Sequence, residues 1–184
     1  MKIIVLPALF SIALTSMLAA QACREIVRDS SGRIVQTIDR QKQAGGAVHS
    51  TTRDASGRIT GTATTRPNAG GSSQTHFRDA SGRITGTATT QPTTGASSRT
   101  TYRDASGRSA GSADTRTDSG SATNTQYRDA SGRLTGSSTT SRSSSGSFTG
   151  SQRDSSGRLT GSSTGSGKCN AVTSAPVVPP RPAK

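Results

Sequence analysis

The 184-residue chain carries 23 lysines and arginines against 10 acidic residues, a formal net charge of +13, and only 3% aromatic residues. After residue 22 the large aliphatics and phenylalanine number 15 of 162, about 9%, too few to offset chain entropy through a conventional hydrophobic core. The sequence lacks the His, Cys and acid constellations of a catalytic or metal centre, so a non-enzyme with no cofactor is expected.

Residues 1–22 read as an export signal. Lys2 provides the charged start, an apolar stretch runs from Ile3 to Ala20, and Ala20-Gln21-Ala22 is a small-x-small cleavage site before Cys23. Loss of Lys2 would leave 22 basic against 10 acidic residues, a mature charge of +12. The expected destination is secreted, periplasmic or outer-surface, without a transmembrane span. An outer-membrane lipoprotein acylated at Cys23 is the alternative, although Ala20 and Gln21 depart from the usual lipobox. Cys169 is the only other cysteine. In an oxidising compartment a Cys23–Cys169 disulfide is the economical reading.

Residues 23–27 form a short lead, and 28–165 form an array. Arg-Asp-x-Ser-Gly-Arg begins at Arg28, Arg53, Arg78, Arg103, Arg128 and Arg153, at strictly equal intervals with no insertion or deletion, and the last repeat is partial. A fixed period of this length means that one supersecondary unit is copied and leans on its neighbours. Each motif reads as a type I turn closed by a glycine bulge. The turn formers are the pairs Asp29 and Gly32, Asp54 and Gly57, Asp79 and Gly82, Asp104 and Gly107, Asp129 and Gly132, and Asp154 and Gly157. Strand formers flank the turn: Phe77, Tyr102 and Tyr127 before it, and Ile84, Leu134 or Leu159 with threonine after it. Second turn signals half a period later, such as Arg66 to Gly71 and Gln91 to Gly95, leave two strands of seven or eight residues per repeat.

The fold expected is therefore all-β, with 25-residue β-hairpin repeats forming an antiparallel meander that spirals or closes. A β-solenoid with repeats stacked in parallel ladders, or partial disorder, is the alternative. The meander is preferred because it brings the two cysteines together and avoids piling arginine on arginine. Within each hairpin, Asp79 is expected opposite Arg83, and likewise in the other copies, as a cross-strand charge pair.

Tyr102 to Arg108 and Tyr127 to Thr135 resemble the YD repeats of Rhs-type bacterial surface and toxin proteins, which share an aromatic followed by Asp-x-x-Gly-Arg-Leu. Here an arginine precedes the Asp in every copy, where the family has the aromatic adjacent to it, and only Phe77, Tyr102 and Tyr127 provide the aromatic. The resemblance spans 28–165 and implies an extracellular hairpin array that wraps or coats, with no catalytic residues. A looser similarity is to curli-like secreted amyloid subunits, against which the dense arginine and Pro67 and Pro92 act as gatekeepers.

The functional candidates are the periodic arginines: Arg28 and Arg33, Arg53 and Arg58, Arg78 and Arg83, Arg103 and Arg108, Arg128 and Arg133, and Arg153 and Arg158. Regular spacing suits anionic polymers such as lipopolysaccharide, extracellular DNA or acidic polysaccharide; solvated charge that keeps a sticky repeat soluble explains it equally well. The expected role is structural or adhesin-like, and self-association into fibres or a disordered secreted linker are the alternatives. Three other signals read as incidental. Gly161-Ser162-Ser163-Thr164-Gly165 matches a nucleophile elbow without its context, His49 and His76 fall at different repeat phases, and Thr60-Thr62-Thr64 and Thr85-Thr87-Thr89 read as plain β propensity. Residues 166–184, which contain Cys169, form a Gly/Pro-rich tail; Pro176 to Arg181 fits an SH3-ligand pattern.

Overall fold

The computed structural model describes residues 22–119 and 122–167. The expected signal segment up to Gln21, Cys169 and the Pro-rich tail lie outside the described residues. Twelve strands follow one another: β1 (Ala22–Asp29), β2 (Ile34–Lys42), β3 (Val48–Asp54), β4 (Ile59–Pro67), β5 (Ser73–Asp79), β6 (Ile84–Thr93), β7 (Ser97–Asp104), β8 (Ser109–Thr117), β9 (Ala122–Arg128), β10 (Leu134–Arg142), β11 (Phe148–Asp154) and β12 (Leu159–Ser166). Each pairs antiparallel with its neighbour in sequence, and β12 pairs with β1 to close a barrel. The solenoid alternative is thus corrected. Its parallel stacking would have forced the arginines into ladders, whereas hairpins keep every backbone bond between antiparallel neighbours.

The motif makes each hairpin turn as its residues require. In all six copies the Gly N–H donates to the Asp carbonyl at 3.0 Å and the Asp N–H donates to the second Arg carbonyl at 2.9–3.0 Å. The glycine sits at φ between +79° and +83°, where any Cβ is strained. The Asp Oδ1 accepts from the Ser and second Arg N–H groups, at 2.9 and 3.0 Å in the third copy. The first arginine donates from Nη1 to the Gly carbonyl, at 2.7 Å from Arg78 to Gly82 and in every other copy too. The turn thus satisfies its own backbone groups through the Asp carboxylate and the first arginine.

Immediately after the turn, each second strand carries one extra residue. Thr52 pairs with Gly61 and Arg53 with Ile59, so Thr60 bulges; the same break recurs in the other five hairpins. The bulge reverses which side chains face inward, because facing alternates with period two. Ile59 stays outside while Gly61 and Ala63 turn inside, and Thr60 folds back to donate to the Thr52 carbonyl at 3.4 Å. The Thr60, Thr62 and Thr64 run therefore does not form one continuous face. Past the bulge the next strand comes very close. A Cβ on Gly86 would lie 2.5 Å from the Arg103 carbonyl oxygen, and on Gly161 2.5 Å from that of Arg28 across the closing seam.

Closure follows from the stagger. Glu25 pairs with Ile38 and Ile38 with Thr52, so the ladder from Glu25 arrives two positions beyond its repeat equivalent, Ser50. The ladder from Thr52 through Gly61 arrives at Asp79, again two positions beyond the equivalent, Phe77. Such a stagger in each of six hairpins tilts the strands and brings β12 round to β1 in the register used between repeats: Gly161 pairs with Asp29 as Gly61 pairs with Asp79. Residues 23–27, read from sequence as a lead, belong to β1 and so to the first hairpin.

With strands about 4.8 Å apart, a round barrel of this size is roughly 20–25 Å across, more than alanine and threonine rows can span. Phe77, Tyr102 and Tyr127 project inward and pack with Ala63, Ala88 and Ala113. The Tyr102 hydroxyl has no protein partner, so the residue serves as a ring filling space. Hydroxyl pairs line the same interior, Thr65 with Thr75 and Thr90 with Thr100 at 2.8 Å and Thr115 with Thr125 at 3.1 Å. The first repeat puts ions at those phases: Arg40 and Glu25 form a largely buried ion pair at 2.7 Å. Burial pushes both tyrosine phenols above their ordinary range.

Two glycine substitutions separate the turn from the close approach. Gly82→Ala should cost about 1–2 kcal/mol through its left-handed backbone. Gly86→Ala should cost about 1–3 kcal/mol through overpacking against β7, and it should also loosen protection of the β6–β7 amides in hydrogen exchange while Gly82→Ala leaves them unchanged.

Candidate polyanion-binding rim

In an up-and-down barrel alternate turns fall at opposite ends, so all six Arg-Asp-x-Ser-Gly-Arg turns share one rim, and Ala22 and Ser166 lie at the other. The twelve periodic arginines are therefore brought together with six aspartates, a formal excess of six positive charges on one rim. The two arginines of each motif do different things. The first, Arg28 and its equivalents, bonds back over the turn as described. The second is exposed in every copy, Arg33, Arg58, Arg83, Arg108, Arg133 and Arg158 alike.

Cross-strand charge pairing is weaker than the sequence suggests. Arg83 Nε lies 2.9 Å from Asp79 and Arg33 Nε 3.5 Å from Asp29. Among the described residues the other four second arginines have no carboxylate within 4 Å. The reason is that the Asp carboxylate is already occupied by backbone N–H groups, which pin it on the turn while the exposed guanidinium remains free to rotate.

Just inside the rim on the outer wall runs a belt. Cross-strand register pairs Arg28 with Ile34, Arg53 with Ile59, Arg78 with Ile84, Arg103 with Ser109, Arg128 with Leu134 and Arg153 with Leu159. Because Val27, Thr52, Phe77 and Tyr102 point inward, these next residues point out. Ile34, Ile59, Ile84 and Leu159 are 40–45% exposed, and with Val35 at the first bulge they are the exposed large hydrophobics among the described residues. The sequence showed these residues only as strand formers. Their periodic place right after the second arginine was visible, but the bulge that turns them outward was not.

Apart from the half-buried Ile26 on the outward face of β1, the rest of the outer wall is polar. Arg24 meets Asp39 and Arg99 meets Asp114, each at 2.6 Å, and the two pairs occupy the same phase of the first and fourth repeats, so one exposed ion pair recurs halfway round the barrel. Pairing with these carboxylates raises the Arg24 and Arg99 guanidinium pKa. An open groove of about 650 Å³ beside the seam is lined by such paired charges, including Arg24, Asp39 and Arg40.

The remaining sequence signals fall as follows. His49 and His76 are lateral neighbours one hairpin apart, and both pair with Thr64 from either side; His49 Nδ1 lies 3.3 Å from its hydroxyl. Repeat phase wrongly separated them, because lateral neighbours stand two positions further apart than repeat equivalents. No group of three or more His, Cys, Asp or Glu is placed to hold a metal among the described residues. Ser163 of the Gly-x-Ser-x-Gly string is buried in the middle of β12, whereas an elbow needs a sharp strand-to-helix turn. Cys23 is buried at the terminal rim, and a Cβ on Gly167 would lie 3.1 Å from it.

No protein-family model matches the chain, and no curated protein is significantly similar to it.

Backbone hydrogen bonding by Arg83 is the main cause holding the Asp79 carboxyl below its ordinary range, with the Arg83 side chain and Ser81 adding to it. A depressed folded pKa supplies stability that is present above the ordinary carboxylate pKa and is lost as pH falls through the folded value. Asp79→Asn should therefore lower Tm at neutral pH, and the gap to the parent should close as the pH is taken well below 4, about the ordinary carboxylate pKa.

Proposed function

We propose that this protein is an exported, non-catalytic barrel that binds anionic polymers at the cell envelope or outside it through its motif rim. The gathering of twelve arginines on one end carries this reading. Six exposed guanidiniums at regular angular intervals present bidentate donors to phosphate or carboxylate repeats along a chain. The resemblance of the motif to YD repeats agrees with a surface role. A closed barrel presents no free strand edge, which favours this reading over a fibre subunit. The outer wall bears threonine and charge where a lipid-spanning barrel needs an apolar band, so the barrel is read as working outside the bilayer core.

The expected salt signature is steep. Retention on a heparin column should persist at about 0.15 M salt and fall away linearly in log–log terms as salt rises. Replacing Arg33, Arg58, Arg83, Arg108, Arg133 and Arg158 with glutamine should abolish retention without unfolding, since the turns rest on the backbone N–H and carbonyl of these residues and the two side-chain ion pairs, Arg33 with Asp29 and Arg83 with Asp79, are exposed and weak. Unchanged retention would sink the reading.

The seam is proposed to be stapled by a Cys23–Cys169 disulfide rather than lipidated at Cys23. Cys23 is buried, with its strand paired on both sides and Gly167 against it, and Cys169 follows only two residues after that glycine in sequence, which supports the disulfide. Such a bond closes a loop of well over 100 residues, worth on the order of 4–5 kcal/mol in the chain-entropy model. The intact mass of the exported protein should be two hydrogens short of the reduced chain and should show no acyl addition.

A further inference from the structure

The belt of aliphatics below the rim has no role in polymer binding. A phosphate or carboxylate polymer is recognised by the arginines alone, yet Ile34, Ile59, Ile84 and Leu159, with Leu134 half-buried, stand on the same ring. Leaving them in water works against solubility, and apart from Val35 beside the ring and the half-buried Ile26 the wall elsewhere is charged and polar, so the exposed large aliphatics gather on this one ring. Equal repeat phase puts them at one height on the barrel. A flat surface approaching the rim along the barrel axis therefore meets them together.

Resting on the reading of the rim as an anion-binding end, we infer that its physiological partner is the surface of an anionic lipid leaflet, on which the barrel stands rim-down. The small turn residues such as Ala80, Ser81 and Gly82 enter among the headgroups, the exposed second arginine of each turn takes lipid phosphate, and the aliphatic belt reaches the boundary of the acyl chains. Arginine suits this depth because its aliphatic stem packs on apolar surface while the guanidinium stays with phosphate. Each basic side chain adds attraction to an anionic leaflet, and shallow apolar insertion supplies the remainder. A second barrel docking rim to rim would instead oppose two rings of like charge. β1 begins and β12 ends at the far rim, on the side away from the lipid.

Co-sedimentation of the purified protein with vesicles of phosphatidylcholine alone, and of phosphatidylcholine mixed with phosphatidylglycerol, tests this. The protein should bind the anionic vesicles and not the zwitterionic ones. The triple variant Ile59→Ser, Ile84→Ser and Leu159→Ser changes only exposed positions. It should bind anionic vesicles at least about tenfold more weakly, while keeping its heparin retention and its circular dichroism spectrum. Heparin retention without vesicle binding, or vesicle binding indifferent to the triple substitution, overturns the lipid proposal and leaves the polyanion reading standing. Loss of both heparin and vesicle binding in the parent protein removes both.

Discussion

A one-residue bulge after each turn controls this molecule. It is imposed by the left-handed glycine and the Asp-capped amides of the motif, and it changes the face of everything that follows it in the hairpin. Without the extra residue, Asp39 and Asp114 would point into the barrel and Ile38, Ala63 and Ala88 into solvent. With it, Gly61, Gly86, Gly111, Gly136 and Gly161 come under the carbonyl of the next strand's arginine, where no side chain fits. The bulge and these glycines thus act as one device at five of the six junctions between hairpins; in the first hairpin Gln36 holds the equivalent register position.

The same device sets the stagger. Two residues per hairpin, repeated six times, match the tilt that lets a sheet of this strand number meet itself. Closure removes both edges of an array rich in threonine and serine, and it explains how a chain with so few large apolar residues folds. Stability is spread over twelve ladders and hydroxyl pairs, with a few aromatic rings across the lumen. The Glu25–Arg40 pair in the first repeat breaks the internal symmetry beside the seam.

Charge and closure together give the two rims distinct characters. Because the motif occupies every second turn, its arginines cannot be distributed evenly; they must collect at one end. The first arginine of each copy has a structural task for its side chain, bonded to the glycine carbonyl, whereas the second serves the turn mainly through its backbone and leaves its guanidinium exposed. A periodic charge that looked uniform in sequence therefore divides into a turn-building half and a solvent-facing half, and binding is sought in the latter together with the aliphatic belt.

The period, the turn type, the all-β class and the antiparallel hairpins were legible in the residues themselves, because Asp-x-Ser-Gly dictates local backbone geometry wherever it occurs. The arginine candidates were legible for the same reason. The choice of a closed barrel over an open spiral, the lateral spacing that sets His49 and His76 beside one threonine, the Glu25–Arg40 pair and the outward belt from Ile34 to Leu159 were not. These depend on how much stagger each hairpin adds and on which face a bulge turns to water, quantities that become definite only when neighbouring strands pair and the last meets the first.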